Sequence, residues 1–138
     1  MKKMFLAAGA IAATVAFPAY AQSWQEIEAR YSRTYTACID SGAAAKGDQM
    51  ALAKCAEAEL ALQETAMATA LAKAEASLQP DQASALKSSQ RKWLDERKSK
   101  CDEEAQCVAG DGTQRMAHAD CDLDETVRRV IWLERYAP

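Results

Sequence analysis

Residues 88–101 read Ser88-Ser89-Gln90-Arg91-Lys92-Trp93-Leu94-Asp95-Glu96-Arg97-Lys98-Ser99-Lys100-Cys101, and this stretch decides the fold. Leu86, Gln90, Trp93, Arg97 and Cys101 recur three or four residues apart, so an α-helix gathers them on one stripe. Lys92, Asp95, Glu96 and Lys98 mostly face water on the other side. The stripe is the expected core face of a third helix, and its last member, Cys101, calls for a partner in an oxidising compartment. Gln90 and Arg97 are polar on that face, so they need inter-helix partners, such as an acid on the next helix.

Working outward, Gln79-Pro80 ends the preceding helix and Pro80 starts this one, because proline suits a first turn and its predecessor avoids helical torsions. Upstream, a long helix is expected from an Asp48 cap to about Gln79, with Ala53, Ala56, Leu60, Met67, Leu71, Ala74 and Leu78 as its seam. So much alanine implies close helix approach. A first helix is expected from Ser23 into the low forties, capped by Ser23 and Glu26, with Trp24, Ile27, Tyr31, Tyr35 and Cys38 as its apolar stripe. The third helix is expected from Asp81 to about Cys101 or a turn beyond, and downstream residues 102–114 read as a loop turning at Gly110-Asp111-Gly112, with Thr113 capping a fourth helix from Gln114 to about Tyr136. Its inner face is Met116, Leu123, Val127, Val130 and Ile131. The expected fold is therefore all-α, a four-helix antiparallel bundle stapled by two disulfides.

Lys2 and Lys3 precede an apolar run from Met4 to Phe17, and Ala19-Tyr20-Ala21 has the small-residue pattern of a cleavage site. Residues 1–21 thus read as a secretory signal peptide and residues 22–138 as one small domain, periplasmic or secreted. No cysteine stands at the cleavage point, so no lipid anchor is expected. Removing residues 1–21 takes away two lysines and no acid, leaving fifteen bases against twenty acids, a net charge of −5. That balance argues against a nucleic-acid partner.

Five cysteines leave one over after two disulfides, and sequence alone does not fix their connectivity. Pairing chain neighbours gives Cys38 with Cys55 and Cys101 with Cys121, each bond stabilising by about 3 kcal/mol through restriction of the unfolded chain. Cys107 then remains as a free thiol, a link between two subunits, or a competitor with Cys121 for Cys101. One histidine and an export signal make a zinc site a poor explanation.

The order Gln90-Arg91-x-Trp93-Leu94-x-x-Arg97-x-x-x-Cys101, followed by Cys121-x-x-x-x-Thr126-x-x-Arg129-x-x-x-Leu133, resembles the LprI-like lysozyme-inhibitor family. With Tyr35-x-x-Cys38 and Cys55 upstream, the resemblance spans nearly all of the mature chain. It implies a small secreted bacterial domain that binds a lysozyme, with Gln90, Trp93, Arg97, Thr126 and Arg129 as its structural motif.

Charge supplies a site for such binding. Between Cys101 and Glu125 stand eight acids against the single base Arg115, a local count of −7. Asp102, Glu103, Glu104, Asp111, Gly112, Asp120, Asp122 and Asp124 are the expected partner-binding residues, because a concentrated negative field favours encounter with a basic lysozyme. Nothing in the order of these acids forms a calcium loop, and no nucleophile–base pair or phosphate loop is evident. His118 reads as a surface residue with a carboxylate neighbour. The reading is a binding protein without a cofactor, not an enzyme. A periplasmic immunity or chaperone-like protein for another exported partner is the alternative.

Overall fold

The computed structural model describes residues 22–136; the expected signal peptide, residues 1–21, lies outside the described residues. The elements are α1 (Trp24–Glu28), α2 (Arg33–Ile39), a 3-10 turn (Ala44–Lys46), α3 (Gln49–Ala76), α4 (Pro80–Gln106) and α5 (Asp111–Tyr136). The architecture is an all-α antiparallel bundle of four arms stapled by two disulfides, the first arm being α1 and α2 together.

The helix α3 and the helix α5 run parallel and share the most extensive interface. Their starts meet where Met50 approaches Gly112, and their ends meet where Ala74 joins Leu133 in one apolar cluster. Ala53, Ala56, Ala70 and Ala74 are all buried in α3, and such small side chains let two helix axes come close. The α1–α2 arm and α4 each run against this pair and, among the described residues, do not contact one another. Hence the core has two halves. Ile27, Ala56, Leu123, Val127 and Ile131 fill the half beneath the first arm, with Tyr31, Tyr35 and Leu60 at its edge. Met67, Ala70, Leu86, Val130 and Leu133 fill the half beneath α4, with Leu71, Leu78 and Trp93 at its edge.

Three expectations change. The first helix is broken at residues 29–32, because Ser32 leaves helical torsions to cap α2, its hydroxyl accepting from Tyr35 N–H at 3.1 Å. The carboxylate of Glu59, only 2% exposed, holds that break by accepting from Ser32 N–H at 3.0 Å and from the Ser32 hydroxyl, while Gln63 donates to it at 2.8 Å. The helix α4 takes the longer of its expected ends and continues to Gln106, just over a turn past Cys101, on the i,i+4 pairs Lys98–Asp102 and Lys100–Glu104, so the expected 102–114 loop is much shorter. Finally, α5 begins at Asp111 and not at Gln114: Gly110, at φ 92°, carries the turn, and its carbonyl accepts from Gln114 N–H at 2.9 Å. Trp24, placed on the first apolar stripe by its spacing, is 55% exposed.

Candidate functional site

The motif residues Gln90, Trp93, Arg97, Thr126 and Arg129 converge into one polar stitch between α4 and α5. Arg129 Nε donates to Gln90 Oε1 at 2.8 Å, and the Gln90 amide approaches Met67 Sδ on α3 at 3.3 Å. Arg97 donates to Thr126 Oγ1 at 2.6 Å and to Glu64 at 3.2 Å, and its Nε lies 3.5 Å from Asp122, an ion pair without hydrogen-bond geometry. Two guanidinium groups stand over the Trp93 ring, Arg97 at 5.3 Å and Arg129 at 5.4 Å from its centroid, and Arg129 also covers Trp132 at 4.0 Å. Burial lowers the Arg129 pKa against the opposing pull of Glu96. These side chains serve one another and hold three helices in register.

The acidic end is built from the last turns of α4 and the first half of α5. Much of it is neutralised locally. Asp102 pairs with Lys98 and, at 2.9 Å, with His118, whose other ring nitrogen is 3.2 Å from Asp122. Lys98 first, then His118, hold the Asp102 carboxyl below the ordinary range. Asp122 moves upward, because burial outweighs the attraction of Arg97 and His118. Asp124 is held by Arg128 at 2.9 Å, and Lys100 joins Glu125 at 2.7 Å and Glu104 at 3.8 Å. Arg115, the one base inside the acidic window, is drawn to Glu57 on α3 at 2.6 Å and depresses that carboxyl.

Among the expected contact residues, Glu103, Asp111 and Asp120 alone carry a carboxylate with no ion pair inside the described residues. Gly112 does not belong to an exposed turn: it lies in the first turn of α5, where a Cβ would meet Met50 Cγ at 3.3 Å. Counting acids along the chain found this end of the bundle. An acid on the last helix for Arg97 and a carboxylate for His118 were foreseen, but the pairs from Lys98, Lys100 and Arg128 outside the counted window were missed, as was the buried pair Glu59 and Gln63, which look like solvent-facing helix residues in sequence.

Both disulfides join the expected partners, Cys38 with Cys55 at a Cα separation of 5.8 Å and Cys101 with Cys121 at 5.5 Å. Cys107 is a free, exposed thiol at the end of α4. No group of metal-ligating side chains is present among the described residues, and no described helix is long and apolar enough to cross a membrane.

These features define a disulfide-stapled helical domain whose motif arginines are committed internally and whose acidic end is paired except at Glu103, Asp111 and Asp120. Over residues 38–133 the chain matches the family described as lysozyme inhibitor LprI, and it belongs to that family. No curated protein and no solved structure matches it. The matched span contains all four disulfide cysteines and the whole α4–α5 stitch, while α1 and most of α2 precede it.

Proposed function

We propose that this protein is exported and inhibits a lysozyme by direct association, without chemistry of its own. Membership of the LprI family carries the reading. The surface that supports it is the acidic end, where Glu103, Asp111 and Asp120 retain free carboxylates for a basic muramidase. The Cys101–Cys121 bond ties the last turns of α4 to α5, so this surface is ordered before binding and loses little entropy on contact.

The test is a cell-wall clearing assay with a basic lysozyme at low salt and increasing amounts of the oxidised protein. Dose-dependent loss of clearing is expected. Failure to inhibit every lysozyme class tried would sink the reading and move weight to another exported partner, which a pull-down from native periplasm would recover. Glu103→Lys with Asp111→Lys is the informative double variant, since neither acid makes an ion pair among the described residues; Asp111→Asn beside it separates lost binding from the cost of a cation in the first turn of α5. Reversing Asp122 or Asp124 would also break the pairs to Arg97 or Arg128.

A further inference from the structure

On the face where the first arm meets α5, a pocket of about 360 Å³ is lined by Trp24, Glu28, Tyr31, Tyr35, Ile39 and Asp120, among others. Its chemistry differs from the rest of the surface. Tyr31 and Tyr35 meet edge to face with ring centroids 4.9 Å apart, and Trp24 stands largely in solvent at the rim. Two carboxylates, Glu28 and Asp120, share this lining with no basic residue. Neither makes an ion pair among the described residues. The neighbouring cations are engaged elsewhere, Arg128 with Asp124 and Lys100 with Glu125. Burial first, then the charges of Asp124 and Glu104, push the Asp120 carboxyl up from its ordinary range. A negative, aromatic-walled recess with no cation of its own is complementary to one kind of group, because ring faces attract a positive charge and a carboxylate fixes it.

We propose that this pocket receives a lysine or arginine side chain of a protein partner, seated against Trp24, Tyr31 and Tyr35 and paired with Asp120. The proposal deepens the inhibitor reading and rests on it for the partner, since a basic lysozyme presents such side chains. The aromatic wall, Trp24, Tyr31 and Tyr35, precedes the matched family span, whereas Ile39 and Asp120 lie inside it. The recess also explains why Trp24 is left in water, where it stabilises no core.

The test has two arms. In the first, the oxidised protein is titrated with the blocked amino-acid amides of lysine and arginine, and with that of norleucine as the uncharged control. The indole N–H resonance of Trp24, assigned by its loss in Trp24→Ala, reports occupancy. Saturable shifts with the cationic amides alone, abolished in Asp120→Asn, are expected. No saturable shift, or equal shifts with norleucine, would overturn the cation site. In the second arm, Trp24→Ala and Asp120→Asn are each expected to weaken lysozyme inhibition by about fivefold or more, with Trp24→Tyr restoring most of it. Full inhibition by both variants would overturn the partner assignment even if the amides bind. Both positions are surface-accessible, and an unchanged far-ultraviolet spectrum separates lost binding from lost folding. A wild-type protein that binds the amides but inhibits no lysozyme would refute the inhibitor reading while supporting the cation site.

Discussion

At the residue scale, two carboxylates illustrate opposite uses of burial. Glu59 is enclosed and has no cation beside it, but three donor groups from Ser32 and Gln63 replace its lost water. Glu59→Ala leaves the Ser32 amide without an acceptor exactly where the chain changes direction, and about 2 kcal/mol of stability is expected to go. Glu59→Gln keeps an acceptor for that amide and a donor for the Ser32 hydroxyl, so a smaller loss is expected; chemical denaturation of both variants checks the order. Asp120 is the reverse case, partly desolvated and unpaired, with its pKa raised first by burial and then by Asp124 and Glu104. A folded pKa above the ordinary 3.8 means that the folded state binds the proton more tightly than the unfolded chain does. Ionised Asp120 therefore opposes folding at neutral pH, and that penalty fades as pH falls through the folded pKa toward 3.8. Asp120→Asn is expected to gain stability at neutral pH, by no more than about 1 kcal/mol given solvent screening, and to lose the gain in acid. Denaturation midpoints across pH read this directly. A destabilised Asp120→Asn would mean that the carboxylate has a structural partner.

At the element scale, periodicity made the three long helices legible, because Leu86, Gln90, Trp93, Arg97 and Cys101 form a stripe that only a helix can bury. Capping chemistry was equally local: Asp48 accepts from Ala51 N–H at 2.8 Å, and Pro80 opens α4. The break between α1 and α2 was not legible, since the acceptor that stabilises it, Glu59, stands 27 residues away in the chain. The end of α4 was legible only to within a turn past Cys101, for a similar reason. The run Asp102-Glu103-Glu104 looks like a solvated loop until Lys98, Lys100 and His118 are placed beside it. Within this architecture the first arm is the least anchored element, made of two short helices joined to α3 by Cys38–Cys55. Replacing both cysteines by serine is expected to abolish hydrogen-exchange protection across residues 24–39 while α3, α4 and α5 keep theirs. The corresponding change at Cys101 and Cys121 acts on the two long helices and is expected to lower the global unfolding free energy by about 3 kcal/mol. Uniform loss of protection in the first variant would show that the arm and the long helices unfold as one unit.

At the scale of the whole molecule, charge distribution decides how a partner is met. The acidic window counts −7, but Arg97, Lys98, Lys100 and Arg128 pair into it from just outside and bring the region to −3, and Glu57, bound to Arg115, and Glu64, bound to Arg97, return it to −5. A field of that size steers a basic partner without dominating the bound state. The free carboxylates at Glu103 and Asp111 lie on this end, whereas Asp120 faces the aromatic recess, so the two contributions separate kinetically. Raising ionic strength from low to physiological values shortens the screening length to about 8 Å and is expected to slow association with lysozyme, leaving dissociation nearly constant. Glu103→Lys with Asp111→Lys is expected to reproduce that slowing at low salt and to flatten the salt dependence. Asp120→Asn and Trp24→Ala are expected to act on dissociation, because a seated side chain must leave a desolvated site before the complex can part. Surface-plasmon or stopped-flow kinetics on these variants distinguishes the two. If all of them change only the association rate, the recess contributes charge but no seat; if all change only dissociation, the acidic end is contact surface and steering plays no part.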